Sequence, residues 1–311
     1  MKKRGGMNKL KVPSLVDLLT YYSSDTVKKQ LYKGQAPSRN QILFLTDGTP
    51  QQSPIVDADG KGVRNLVIKF VQEYNEDDDG NLIMDNAETE LAAECNQHKR
   101  IYEEALKFKV QICPSILYCG TIDKSEIKHL YETWYETKNP LLTLESKPEP
   151  AIVIMEYFEQ ADEGSEILQQ TARFLLFLLA KIGYAHGDPH WGNYMKKPGV
   201  DEAILIDFEH ATELKEKDKI EVGIIWDTKV REVNGQYVCA ELNSLEKIFL
   251  KRALMYGANV DSGYEPYNWL MVDDFVLAPI TLAPVSGGRR KRRTKRRRKS
   301  RSRRFRINPF N

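Results

Sequence analysis

Eight consecutive residues, His186-Gly187-Asp188-Pro189-His190-Trp191-Gly192-Asn193, put a carboxylate, an imidazole and a carboxamide into one turn-rich loop, and Asp207 follows 14 residues after Asn193 at the end of an apolar run. These residue types suit phosphoryl transfer, in which a protein orients a hydroxyl, holds a hard cation and neutralises phosphate charge. Asp188 can accept or orient the proton of an acceptor hydroxyl. The amide oxygen of Asn193 and the carboxylate of Asp207 can ligate Mg2+ together with nucleotide phosphates. His186, Asp188, His190 and His210 could instead surround Zn2+, since His and Asp at alternate positions suit that ion. A zinc site, however, leaves Asn193 and a distant strand lysine, Lys69, without a role. The bland alternative is a polar loop in which Asp and Asn serve turn chemistry alone.

The elements that must position these residues read as follows. Residues 41–45, 66–71, 116–119 and 151–158 are short, apolar and bounded by Gly, Pro, Asp and Ser, as strands are. Residues 85–108 have helical period through Leu91, Cys95, Tyr102 and Leu106, with Asp85 as a plausible N-cap. From residue 163 a second helical stripe runs through Ile167, Leu168, Thr171, Ala172, Leu175, Leu179 and Ile182. Between Phe174 and Ala180 that helix is apolar nearly all round, so it must lie at the centre of a core. Residues 203–208 predict another strand and residues 242–256 another amphipathic helix.

In this register the loop resembles that of the protein-kinase-like superfamily, whose catalytic loop has the form H-x-D-x-x-x-x-N and is followed by a metal-binding Asp-Phe-Gly. His186, Asp188 and Asn193 match the first motif, and Asp207-Phe208-Glu209 departs from the second only in its last residue. The His-Gly-Asp and Ile-Asp-Phe-Glu forms look more like the atypical branches, which include aminoglycoside and choline kinases and the ubiquinone-biosynthesis kinases. The resemblance spans about residues 41–210 and implies ATP and Mg2+ as cofactors, with Asn193 and Asp207 as metal ligands. Lys69, in an otherwise apolar strand, falls where the superfamily keeps the lysine that binds the α and β phosphates. Its carboxylate partner should come from the next helix. Glu94 lies closer to the buried edge of that helix than Glu90, which makes Glu94 the first choice and Glu90 the reserve.

The strand from Ile152 to Phe158 resembles the one that runs into the hinge. It puts Met155 at the gatekeeper position and the backbone of Glu156 and Phe158 beside an adenine edge. His190 stands where protein kinases commonly carry a lysine that meets the γ-phosphate. No G-x-G-x-x-G precedes Lys69; Asp47-Gly48-Thr49-Pro50 and Asp59-Gly60-Lys61-Gly62 are the nearest equivalents. With Glu209 in place of glycine and no Ala-Pro-Glu following, regulation by activation-loop phosphorylation is not expected.

The fold implied is α+β and two-lobed. A nucleotide-binding N-lobe of antiparallel sheet plus one helix covers residues 41–158, through the hinge. A mainly helical C-lobe covers 159–284, residues 1–40 form an N-terminal extension, and 285–311 form a disordered basic tail. The acceptor is expected to be a protein Ser or Thr. The alternatives are a small hydroxylated molecule and, from another class, a pseudokinase or a binding module tethered to nucleic acid.

Charge separates the tail from the body. The 311 residues carry 46 Lys and Arg against 44 Asp and Glu, yet 14 of the basic residues fall after residue 286, leaving 32 basic against 44 acidic residues, a balance of −12. The run from Arg289 to Arg306 suits nucleic acid, a nuclear address or an anionic surface. Thr294, Ser300 and Ser302 within it are candidate phosphoacceptors. Its Gly-Gly then Arg/Lys form resembles C-termini of large DNA-virus proteins. No apolar run approaches the roughly 20 residues needed to cross a bilayer. Cys95, Cys113, Cys119 and Cys239 form no Cys-x-x-Cys pair and need not be bridged, so a reducing intracellular compartment, cytoplasm or nucleus, is the natural expectation.

Overall fold

Lys69 sits in a strand whose other side chains are apolar, and the sheet around it explains why. The structure, a computed structural model, describes residues 28–31, 41–46, 66–71, 74–76, 82–84, 87–121, 151–162, 164–197, 199–258 and 265–283. The glycine-containing segments before Lys69 and the basic run after Arg289 lie outside the described residues. In chain order the first elements are β1 (Lys28–Leu31), β2 (Gln41–Thr46), β3 (Leu66–Val71), β4 (Tyr74–Glu76), β5 (Leu82–Met84), α1 (Ala87–Lys107), β6 (Ile116–Thr121) and β7 (Ala151–Glu156). Five of these strands form one antiparallel sheet in the order β1-β2-β3-β7-β6, so β3 is central and Lys69 pairs with Ile42 on one side and Val153 on the other. The sheet begins at Lys28, within the segment the sequence reading set apart as an extension.

Helix α1 lies against β6 and β7. Its buried Leu91 and Cys95 meet Val153, with Ile116, Cys119 and Met155 packed around them. Here the structure corrects the expectation of unbridged cysteines: Cys95 on α1 and Cys119 on β6 are joined by a disulfide, with Cα atoms 6.5 Å apart, while Cys113 and Cys239 are free. Nothing in the spacing of the two residues signals the bridge, because helix-to-sheet packing is what brings them together. The covalent link and the ion pair described below both fasten α1 to the level of Val153, since Cys119 and Lys69 are both register partners of that residue.

The rest of the chain builds on one buried helix. It comprises β8 (Glu159–Gln160), α2 (Glu166–Lys181), β9 (Tyr184–Ala185), β10 (Tyr194–Lys196), β11 (Ala203–Leu205), β12 (Thr212–Glu213), α3 (Glu216–Lys229), β13 (Val230–Val233), β14 (Gln236–Cys239), α4 (Ser244–Leu254) and β15 (Ile280–Thr281). Ser165 caps α2 by accepting from the Leu168 amide, and every residue from Thr171 to Ala180 is buried. Such a helix has no solvent face there, so β9, β11, α3 and α4 all pack on it. Asn243 and Glu246 close a reciprocal capping box at the start of α4. Among the described residues no helix is long and apolar enough to cross a membrane.

Two strands end earlier than the sequence predicts. β7 ends at Glu156 rather than Phe158, and β11 ends at Leu205, so Asp207 and Phe208 belong to the loop that follows.

The bridge closes a loop of 24 residues in sequence separation. Replacing Cys95 and Cys119 together by Ala should lower unfolding free energy by about 3.5 kcal/mol, the loop-entropy value for that length. Urea denaturation under non-reducing conditions checks this; an unchanged midpoint would show that the bridge contributes nothing.

Candidate active site

The ammonium of Lys69 is almost enclosed, with 10% of the side chain exposed, and it has two carboxylates for company. It donates to both oxygens of Glu94, at 3.0 and 3.3 Å, and lies 3.7 Å from Asp207 Oδ1. Burial alone would push the Lys69 ammonium down, but Asp207 and Glu94 outweigh it and hold its pKa above the ordinary lysine value. Sheet, helix and loop thus converge on one cation. Glu94 is the partner the structure supplies, whereas the reserve Glu90 lies in the part of α1 whose side chains are not described.

A short antiparallel pairing explains the spacing between Asn193 and Asp207. β10 pairs with β11 so that Tyr194 faces Leu205, and the Ile206 amide donates to the Asn193 carbonyl at 3.0 Å. Asn193, just before β10, and Asp207, two residues past β11, therefore emerge at the same end of the pairing. Asp207 adopts φ +63°, a left-handed conformation that Asp tolerates better than most residues. Phe208 behind it is fully buried between two histidine rings, His98 of α1 at 5.1 Å and His186 at 5.2 Å between centroids.

The loop itself is held from inside. His186 is buried and its Nε2 donates to the Ile206 carbonyl at 3.0 Å; burial pushes its pKa down. Its role is thus to bond backbone. At Gly187, φ is +80° and a Cβ would stand 1.9 Å from the His210 carbonyl oxygen, so only glycine fits. The Asn193 amide nitrogen donates to the Asp188 carbonyl at 2.9 Å and reaches Asp188 Oδ2 at 3.3 Å, which turns its oxygen toward the other side as the end available to a cation. His190 Nδ1 accepts from the Gly192 amide at 2.9 Å, so the ring proton sits on Nε2, 3.4 Å from Asp188 Oδ2. The structure therefore places His190 beside Asp188.

Three residues that the sequence reading does not single out, Tyr267, Trp269 and Arg173, complete the site. Tyr267, in a 3-10 turn spanning Glu265–Leu270, donates its hydroxyl to Asp188 Oδ1 at 2.8 Å. Trp269 in the same turn donates to the Pro189 carbonyl at 3.2 Å, and its own carbonyl accepts from the buried Arg173 of α2 at 3.0 Å. Trp191 stacks on Tyr194 and meets Trp269 edge-on, which makes it a packing residue. Of these contacts only Arg173 carried a signal, as a cation beginning an otherwise apolar run.

The expected hinge differs in detail. The Glu156 amide donates to the Ser115 carbonyl at 3.3 Å, and the Glu156 carboxylate accepts from the Ser115 amide at 2.9 Å and from Gln111 at 2.8 Å. The amide of Glu156 is thus engaged within the protein. Met155 packs on the Leu91–Cys95–Val153 cluster, and Phe158 is buried. The zinc alternative gains no support: the Nε2 of His186 is occupied by backbone, and among the described residues no three His, Cys, Asp or Glu side chains gather as a metal cluster.

An antiparallel sheet with a helix-borne carboxylate on its lysine, above a loop carrying Asp, Asn and a second Asp, is compatible with a kinase-like fold. Sequence comparison agrees. The ABC1 atypical kinase-like domain matches residues 54–234, more than half of the chain, and the chain belongs to that family. A stretch of 76 residues is also 40% identical to an uncharacterized protein of Synechocystis sp., covering 24% of this chain and 13% of that protein, so the chain spans a small part of that relative's length.

His98 yields a pH prediction. Burial holds it at about 4 against an ordinary 6.5, and its Nε2 faces the Pro114 carbonyl at 2.8 Å. Below pH 6.5 the unfolded chain takes up a proton that the folded chain refuses, so stability is full above 6.5 and declines as pH falls toward 4, by about 3 kcal/mol. His98→Gln, which keeps a donor but does not titrate, should flatten that decline in denaturation measured from pH 7 to 4. An identical pH slope in the variant would refute the assignment.

Proposed function

We propose that the chain is an ATP- and Mg2+-dependent phosphotransferase that moves the γ-phosphate to a hydroxyl, with a protein Ser or Thr as acceptor. The observation that carries this reading is the buried Lys69 ammonium, paired with Glu94 and facing Asp207. A structural lysine has no need of a second carboxylate from a loop, whereas a phosphate-binding lysine beside a cation site does. In this reading residues 41–158 are the nucleotide-binding lobe, 159–284 the helical lobe, and the two meet around Lys69 and Asp207.

Asn193 and Asp207 are hard oxygen donors that fit Mg2+, since the Asn193 nitrogen is turned to Asp188 and the Asp207 carboxylate is 42% exposed. Bound there, Mg2+ would neutralise charge on the β and γ phosphates. Lys69 binds the α and β phosphates, and Glu94 holds its ammonium in place. The Glu156 carbonyl and the Phe158 amide meet the adenine edge. Asp188 orients the acceptor hydroxyl and takes its proton, with His190 and Asn193 fixing one carboxylate oxygen.

Asp207→Ala should abolish transfer from ATP while leaving the fold intact, and millimolar Mg-ATP should raise the melting temperature of the wild type but not of the variant. Unchanged turnover in Asp207→Ala would sink the reading. No thermal shift in the wild type would point to a pseudokinase.

The basic run from Arg289 to Arg306 we assign to docking on nucleic acid or another anionic surface. Removing it, in a chain ending at Ser286, should weaken DNA or RNA binding and flatten its salt dependence; equal affinities would remove the assignment.

A further inference from the structure

Asp188 is not waiting bare for an acceptor. Its Oδ2 is met by Asn193 at 3.3 Å and His190 at 3.4 Å, and its Oδ1 accepts a hydroxyl hydrogen bond from Tyr267 at 2.8 Å. A hydroxyl donating to the carboxylate that will take its proton is the contact an acceptor must make. Tyr267 makes it from 79 positions away in sequence, and beyond residue 234, where the family match ends.

The placement is well anchored. Trp269, two residues on, is buried, donates to the Pro189 carbonyl and packs edge-on against Tyr194 at 4.9 Å. Arg173 holds the Trp269 carbonyl from the central helix and lies 5.7 Å from the Trp269 ring. Leu270 is buried in the same core. The turn is therefore fastened through Trp269 and Leu270, and from it the Tyr267 hydroxyl reaches the loop. Burial, then the Asp188 contact, pushes the phenol up to about 12, so the group stands protonated at neutral pH and needs a base before it can act as a nucleophile.

We propose that Tyr267 occupies the acceptor position and is the chain's own first phosphoryl acceptor. The inference rests on the phosphotransferase reading above. In the step, the Tyr267 oxygen forms a bond to the γ-phosphorus of a nucleoside triphosphate, the bond between that phosphorus and the β,γ-bridging oxygen breaks, the nucleoside diphosphate leaves, and the phenolic proton passes to Asp188. The product is an anionic phosphotyrosine beside a protonated Asp188, which becomes a carboxylate again once its proton passes to water. Like-charge repulsion then drives the ring off Asp188 and clears the position for an external hydroxyl.

The test uses the full chain with ATP and Mg2+, following ADP release and mapping phosphate by mass spectrometry. The expected result is phosphate on Tyr267, formed at a rate independent of protein concentration and lost in Asp207→Ala. Tyr267→Phe keeps the ring and removes the hydroxyl; it should transfer to an external protein acceptor several-fold faster than unphosphorylated wild type, at an unchanged melting temperature. ADP release with phosphate elsewhere and none on Tyr267 would overturn the proposal and leave the phosphotransferase reading standing. A fall in external transfer in Tyr267→Phe would also overturn it, because the hydroxyl would then merely position Asp188. No ADP and no phosphate at all would remove the phosphotransferase reading and this proposal with it.

Discussion

A lysine ammonium in the middle of a sheet is costly to bury, and the architecture follows from meeting that cost. Lys69 is flanked by apolar strand residues, Leu66, Val67 and Ile68, all buried with it. An uncompensated charge there would lose its proton or expel the strand. One carboxylate must therefore arrive from elsewhere, and docking α1 delivers Glu94; the loop after β11 then brings a second, Asp207, which neutrality alone does not require. Once both are in place the cation is stable and the three segments are held in register. In the proposed phosphotransferase reading Lys69 is poised, because a second carboxylate that turned to Mg2+ would be replaced by phosphate oxygens without leaving the ammonium unpaired.

That convergence depends on a second constraint, the seat of Phe208. The residue after Asp207 is buried against one histidine from the helix and one from the loop, and neither ring can be charged cheaply at that depth. Apolar packing of Phe208 thus sets where Asp207 leaves the core. Gln97 of α1, which donates to the Ala211 carbonyl, adds a hydrogen bond between the helix and the same loop. Glu94, Gln97 and His98 are one face of α1. A rotation of that helix would disturb the ion pair, the Ala211 contact and the Phe208 seat together.

The candidate site is more legible in the sequence than the packing that closes around it. Asp188, Asn193 and Asp207 are readable because a loop and a short antiparallel pairing keep their spacing local, and Lys69 because it is a charge in an apolar strand. Glu94 follows from helical period. Helix α3 escapes the same treatment because its apolar residues do not form a stripe: Val222, Ile225 and Trp226 are buried while Ile220 and Ile224 are exposed. The hairpin of β13 and β14 did carry a signal, Asn234-Gly235, whose φ values of +51° and +79° fit a tight turn with both central residues left-handed. The Cys95–Cys119 bridge and the Tyr267–Asp188 contact had none, since each depends on tertiary packing of segments that are unremarkable alone.

Arg173 shows why the segment from Glu265 to Leu282 cannot be an appendage to the matched domain. Its guanidinium is buried, and its hydrogen bonds run to the Trp269 carbonyl, the Val276 carbonyl and the Gln169 side chain, with the Trp269 and Phe275 rings beside it. Burial pushes its pKa down, the charge of Glu166 works against that shift, and neutral oxygens receive the guanidinium protons. Stripping the segment away would leave the guanidinium only Gln169 of these acceptors. The C-terminal turn is therefore bound to the core by the same kind of constraint that binds Glu94 to Lys69, and it brings Tyr267 to Asp188 as a consequence.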